Sequence, residues 1–182
     1  MVIMHRIIII STLLFVLTAC SESEEERQAA LLDAAEQGNL PLIQTLLDDG
    51  TNVNSRDVCF FTPLMKAAAN GNLKGVEMLL LAGAKVDDGD KGGYTALLLA
   101  ASKNHHHVVK RLLTAGANID HQEKTQGWSA LIWAANLGHH DTVEVLLAHG
   151  ADTALRDSKG QNALQWAQKN RHESIIRLLQ NN

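Results

Sequence analysis

Apolar positions along this chain fall into three kinds of run. The first is a single block from Ile7 to Leu17, interrupted only by Ser11 and Thr12. The second recurs with alanines at its end: Leu31-Leu32-Asp33-Ala34-Ala35, Leu64-Met65-Lys66-Ala67-Ala68, Leu97-Leu98-Leu99-Ala100-Ala101, Leu131-Ile132-Trp133-Ala134-Ala135 and Leu164-Gln165-Trp166-Ala167-Gln168. The third follows each of these as LIQTLL, GVEMLL, VVKRLL, TVEVLL and IIRLL. The second and third kinds have helical, not strand, spacing, so each predicts a short helix with one buried face. Glycine punctuates them. Gly71 and Gly138 fall between paired helices, and Gly83, Gly116 and Gly150 suit the left-handed residue that ends a second helix.

The alanine runs repeat at spacings of 33, 33, 34 and 33 residues. Thr62-Pro63-Leu64 gives a local reason for a helix start, because Thr caps and Pro tolerates the first helical position. A period of 33 built of two helices and a turn resembles the ankyrin repeat. The resemblance covers roughly residues 27–180. It implies an all-α solenoid of about five helix-turn-helix repeats joined by short hairpin-like loops, with units near 27–57, 58–90, 91–124, 125–157 and 158–182. Departures are visible. The family's Thr-Pro-Leu-His survives only as Thr62-Pro63-Leu64-Met65, so the hydrogen bonds of that histidine are expected to be replaced or absent. Phe60 stands where a turn glycine is usual, which predicts an atypical loop before the second repeat. One extra residue lies between Asp120 and Gly127.

The first apolar block changes the picture of where the protein acts. Eleven residues at about 1.5 Å each reach about half of the roughly 30 Å bilayer core. With Arg6 ahead of it, the block suits the core of a signal peptide. It ends in Leu17-Thr18-Ala19-Cys20, which resembles the lipobox of bacterial lipoproteins. That resemblance implies a signal peptide over 1–19, an acylated Cys20 and a short acidic tether over 20–26. Ser21, in place of the Asp that retains lipoproteins in the inner membrane, implies a periplasm-facing place at the outer membrane. Ser23-Glu24-Glu25-Glu26 reads as a capping box, which would start the first helix within about 7 Å of the lipid.

Sixteen Lys and Arg against twenty Asp and Glu give a net charge of −4, which argues against nucleic acid as a partner. Phosphate-binding, nucleophile-elbow and HExxH patterns are missing, and carboxylates read as scattered over the loops, so neither catalysis nor a cofactor is expected. Nine histidines are many for 182 residues. His105, His139 and His172 open second helices, a usual place for His in the family. The runs His105-His106-His107 and His139-His140 suggest a metal or pH sensor, but zinc needs three or four converging ligands and no metal site is assigned.

The function left is binding of one protein partner by a monomer. Ankyrin repeats are known to bind through loop tips and the inner-helix face. The residue before each Thr or Ser of the turn is Phe61, Tyr94 and Trp128, an expected ladder of partly exposed aromatics, with Phe60 beside the first. Lys66, Asn70, Lys103, Asn136 and Leu137 are expected to line the inner helices as secondary contacts. Trp133 and Trp166 read as core, and Cys59 as a bystander at a tip. Inhibition of an envelope-active toxin or hydrolase is the expected role, with scaffolding of a periplasmic enzyme as the alternative.

Overall fold

The computed structural model describes residues 23–181. The expected signal peptide and the expected acylation site at Cys20 lie outside them. Ten helices form five antiparallel pairs among the described residues: α1 (Glu24–Gln37) with α2 (Leu40–Asp48), α3 (Pro63–Ala69) with α4 (Leu73–Leu81), α5 (Ala96–Ser102) with α6 (His106–Thr114), α7 (Ala130–Leu137) with α8 (His140–Ala148), and α9 (Ala163–Lys169) with α10 (Glu173–Gln180). The odd-numbered helices stack on one another as an inner layer and the even-numbered ones as an outer layer. The connecting loops contain a single isolated bridge, Gly89 to Thr95, and no named strand.

Capping starts the inner helices. Thr62, Thr95, Ser129 and Asn162 each accept from the backbone N–H three residues on, at 3.3, 3.4, 3.4 and 3.0 Å. Ala67, Ala68, Ala100, Ala101, Ala134, Ala135 and Ala167 are fully buried between neighbouring inner helices. Their small side chains set the close approach of those helices, and Leu64, Leu97, Leu131, Ile43, Leu79, Leu112, Leu146 and Ile175 fill the space between the two layers. The core runs unbroken from Leu31 to Leu179. Helix α1 is longer than the other inner helices, and its capping box is made: Ser23 N donates to Glu26 at 2.8 Å and Glu26 N donates to Ser23 at 3.2 Å. Glu24–Glu26 are therefore the first turn of α1, as the capping-box reading expects, and this takes them out of the expected acidic tether.

Successive repeats are tied by side chains at the starts of the second helices. Asn72, His105, His139 and His172 each place a side-chain nitrogen on a carbonyl of the preceding inner helix: Ala35 at 2.9 Å, Ala69 at 3.2 Å, Ser102 at 3.1 Å and Asn136 at 3.1 Å. A second set runs through the loops. Asn54, Asp87 and Asp120 accept from the backbone N–H of Lys85, Asn118 and Asp152, each at 2.9 Å.

Candidate functional site

Each loop tip is organised by one acidic side chain, and the four are in phase: Asp57, Asp90, Glu123 and Asp157. This corrects the expectation of scattered carboxylates. Asp57 accepts from Cys59 N and Phe61 N, both at 2.9 Å, and Asp90 from Tyr94 N at 2.8 Å. Asp157 accepts from Lys159 N at 2.8 Å and Gln161 N at 2.9 Å. Glu123 stands in the loop with the extra residue, and its added methylene spans the longer turn. It accepts from the backbone N–H of Thr125, Gln126 and Trp128 at 2.6, 2.8 and 3.0 Å, and from the Thr125 hydroxyl. Burial, the largest single influence, pushes the Glu123 carboxyl up, but these donors together outweigh it and hold it below the ordinary range. Asp157 follows the same balance, with Gln161, Trp166, Lys159 and Trp128 supplying the donors.

The left-handed residue of these tips is Phe60, Gly93, Gly127 and Gly160, at φ of 72°, 80°, 72° and 73°. The second repeat therefore keeps the backbone of its siblings and places an aromatic where they have glycine, contrary to the expected change of loop. Phe60 is 44% exposed, with the Lys91 ammonium 4.8 Å from its ring centre.

The aromatic ladder is only partly as expected. Phe61 and Tyr94 are half-buried, but Trp128 is 6% exposed and belongs to the core. The reason is Asp157, whose Oδ2 accepts the indole N–H of Trp128 at 3.0 Å and that of Trp166 at 2.9 Å. Trp128 meets the Trp133 ring edge-on at 4.5 Å and the Trp166 ring at 5.0 Å. Trp166 is core as expected. Trp133 is not fully so: it is half-buried, lies 6.3 Å from Tyr94, and its indole nitrogen has no acceptor. The inner face thus carries Phe61, Tyr94, Leu99 and Trp133 half-buried, with Leu137 42% exposed beyond them.

Among the polar positions expected there, Asn70 and Lys103 are exposed. Asn136 is half-buried and accepts from Asn170 at 2.9 Å through its own side chain. Lys66 is held between Glu36 at 2.9 Å and Asp57 at 3.6 Å, above the Phe61 ring at 5.5 Å. Its hydrogen bond to Glu36 holds the ammonium above the ordinary lysine range. Of the other residues singled out, Cys59 is exposed at its tip. The His106 and His107 rings touch, with centroids 4.0 Å apart. His140 faces Asp141 at 3.6 Å and Glu144 at 3.8 Å, and the three offer ligand atoms within 4.8 Å of one another. No helix among the described residues is long and apolar enough to cross a membrane.

These features define a repeat solenoid with a lined inner face, and the family comparison agrees. A model of ankyrin repeats (3 copies) matches residues 31–123 and again 97–182. The chain belongs to the ankyrin-repeat family, whose arrays are modules for protein–protein interaction. A search of curated proteins found none that matches the chain.

Proposed function

We propose that this chain is a non-catalytic, monomeric binding module that holds one protein partner on its inner face, anchored through acylated Cys20 to the periplasmic side of the bacterial envelope. The partner it suits best is an envelope-active toxin or hydrolase, which it would mask. The observation that carries the binding reading is the apolar strip of Tyr94, Leu99, Trp133 and Leu137 across the third and fourth repeats. Aromatic and aliphatic groups left partly uncovered on a rigid surface are what interface anchors are made of. Acids flank this strip at one end, Asp33 and Glu36, and Lys169 is exposed at the other.

The anchor reading rests on the Leu17-Thr18-Ala19-Cys20 motif and on the observed start of α1 at Glu24, which leaves almost no slack after Cys20. The test uses the chain from Ser21 onward, immobilised and passed over envelope extract. Leu137→Asp and Lys103→Glu, both at exposed positions, should abolish retention of the partner while leaving the melting temperature unchanged. Retention that survives both substitutions would move the site off the inner face. A retained hydrolase that stays active when bound would replace inhibition by scaffolding.

A further inference from the structure

The loop tips form an edge of their own, and its chemistry differs from that of the inner strip. Val58 is 89% exposed, the highest value of any large apolar residue described, and Phe60 beside it is 44% exposed. Phe60 sits at the left-handed position that is glycine in the three following tips. An exposed bulky residue held in a costly backbone conformation calls for a use at that spot. The tips then stack in a row. Lys91 reaches the Val58 carbonyl at 3.4 Å, Lys124 N donates to Gly92 at 2.8 Å, and Ser158 N donates to Gln126 at 2.8 Å. Lys91, Lys124 and Lys159 are exposed along this row.

The acids of the same edge do not cancel those lysines. Asp57, Asp90, Glu123 and Asp157 are half-buried or buried and turn inward onto loop N–H groups. At the near end, Glu24 is bound by Arg27 and Gln28 and Glu26 closes the capping box, which leaves Glu25 as one exposed acid against the three lysines. The edge also marks where the chain leaves the described domain. Glu25, Ala29 and Leu32 of α1 and Arg56 and Val58 of the tip line one hollow, so the first turns of α1 lie beside Val58.

We infer that this edge is a bilayer-docking surface, with Val58 and Phe60 entering the lipid interface and Lys91, Lys124 and Lys159 meeting anionic headgroups. The position of the start of α1 beside Val58 adds to this, and that part rests on the anchor reading above. Apolar tips flanked by lysines combine insertion with electrostatic attraction, the pairing that holds a protein on an anionic surface. The docked pose reassigns Phe60 from the partner strip to the lipid. It leaves the inner face, with Tyr94, Trp133 and Leu137, open sideways along the membrane.

Cys59, between the two inserting residues, provides a native reporter. The full chain is reconstituted into phosphatidylethanolamine/phosphatidylglycerol vesicles, its free thiols are labelled with an environment-sensitive fluorophore, and quenching by doxyl-labelled lipid is compared with quenching by aqueous iodide. The expected result is one label per chain, quenched by the lipid and shielded from iodide. A probe at His107→Cys on a Cys59→Ser background, on the far edge, should show the reverse. Val58→Asp combined with Phe60→Gly, which gives this tip the glycine of its siblings, should abolish lipid quenching at Cys59. Lys124→Glu with Lys159→Glu should weaken it in anionic vesicles alone. Iodide access at Cys59 in a vesicle-bound chain overturns the docking edge and leaves the anchor standing; a protein partner on the tips would give that same result. Two labels per chain with lipid quenching at Cys59 preserved in the Cys20→Ser variant supports the edge and overturns acylation. A chain that stays in the supernatant overturns both.

Discussion

At the residue scale, two positions carry more consequence than their neighbours. Phe60 adopts a φ of 72°, which costs a non-glycine residue on the order of 1–3 kcal/mol. Phe60→Gly removes that strain and loses two cation–π contacts at an exposed site, with Lys91 and Arg56, about 0.5–1 kcal/mol each. The balance predicts a gain of about 0.5 kcal/mol, read as a rise of about 1–2 °C in the melting temperature. Asp157 is the opposite case, a buried carboxylate serving four donors. Asp157→Ala leaves two indole and two backbone N–H groups without their acceptor and should cost about 3 kcal/mol or more in chemical denaturation. The pH dependence has a definite sign. Asp157 and Glu123 are both held below their ordinary values in the folded chain. Their contribution is therefore fully present above about pH 4–5 and is lost as pH falls through the depressed folded values. Melting temperatures followed from pH 7 to pH 3 should fall mainly below about pH 4, and Asp157→Asn should flatten that fall. Trp128 was misjudged from sequence for the same reason. Its phase in the repeat suggests exposure, whereas its burial is decided by Asp157, 29 residues away, and spacing alone does not reveal that pairing.

At the scale of the element, the fold was legible because each signal is local and repeated. A capping Thr, Ser or Asn, an alanine pair and an apolar stripe specify one helix at a time, and the period then stacks the pairs. The turn inside each pair shows how the stacking feeds back on sequence. Gly71 has φ +72°, and a Cβ there would lie 2.7 Å from Nδ1 of His105, the ring that ties the next repeat to Ala69. Glycine is needed twice over at this point, once for the backbone and once for the neighbour's imidazole. At the same phase of the third pair stands Asn104, with φ 61°, whose side-chain oxygen accepts from Thr142 at 2.9 Å. Asparagine tolerates the left-handed region and recovers part of its cost through that bond. Gly71→Ala should therefore destabilise by about 2 kcal/mol or more, because strain and clash add. Asn104→Gly should change stability by less than about 1 kcal/mol. Paired urea titrations of the two variants check this directly, and equal losses would mean that the clash with His105 is relieved by a small ring movement.

At the scale of the whole molecule, the array is an open stack in which each repeat touches only its neighbours, so coupling between ends passes through every interface in turn. Those interfaces are not equivalent. Repeats one to four are tied by Asn72, His105 and His139 on backbone carbonyls and by Asn54, Asp87 and Asp120 through the loops, in turn. Repeats four and five share, in addition, one carboxylate between two indoles and a chain of three tryptophan rings. The same cluster forms the floor of the inner strip, since Trp133 rests on Trp128 and leans toward Tyr94. This explains why the binding face was only half legible in sequence. Which face is inner follows from the period, but which aromatics remain uncovered depends on contacts between repeats. Breaking the shared carboxylate should therefore loosen the C-terminal end of the stack and leave the far end intact. In Asp157→Ala, hydrogen exchange should accelerate in α9 and α10 and, less, in α7, while α3 and α4 keep their protection. Uniform acceleration across all pairs would show instead that the five repeats open as one cooperative unit, and that the strip cannot be loosened locally without unfolding the array.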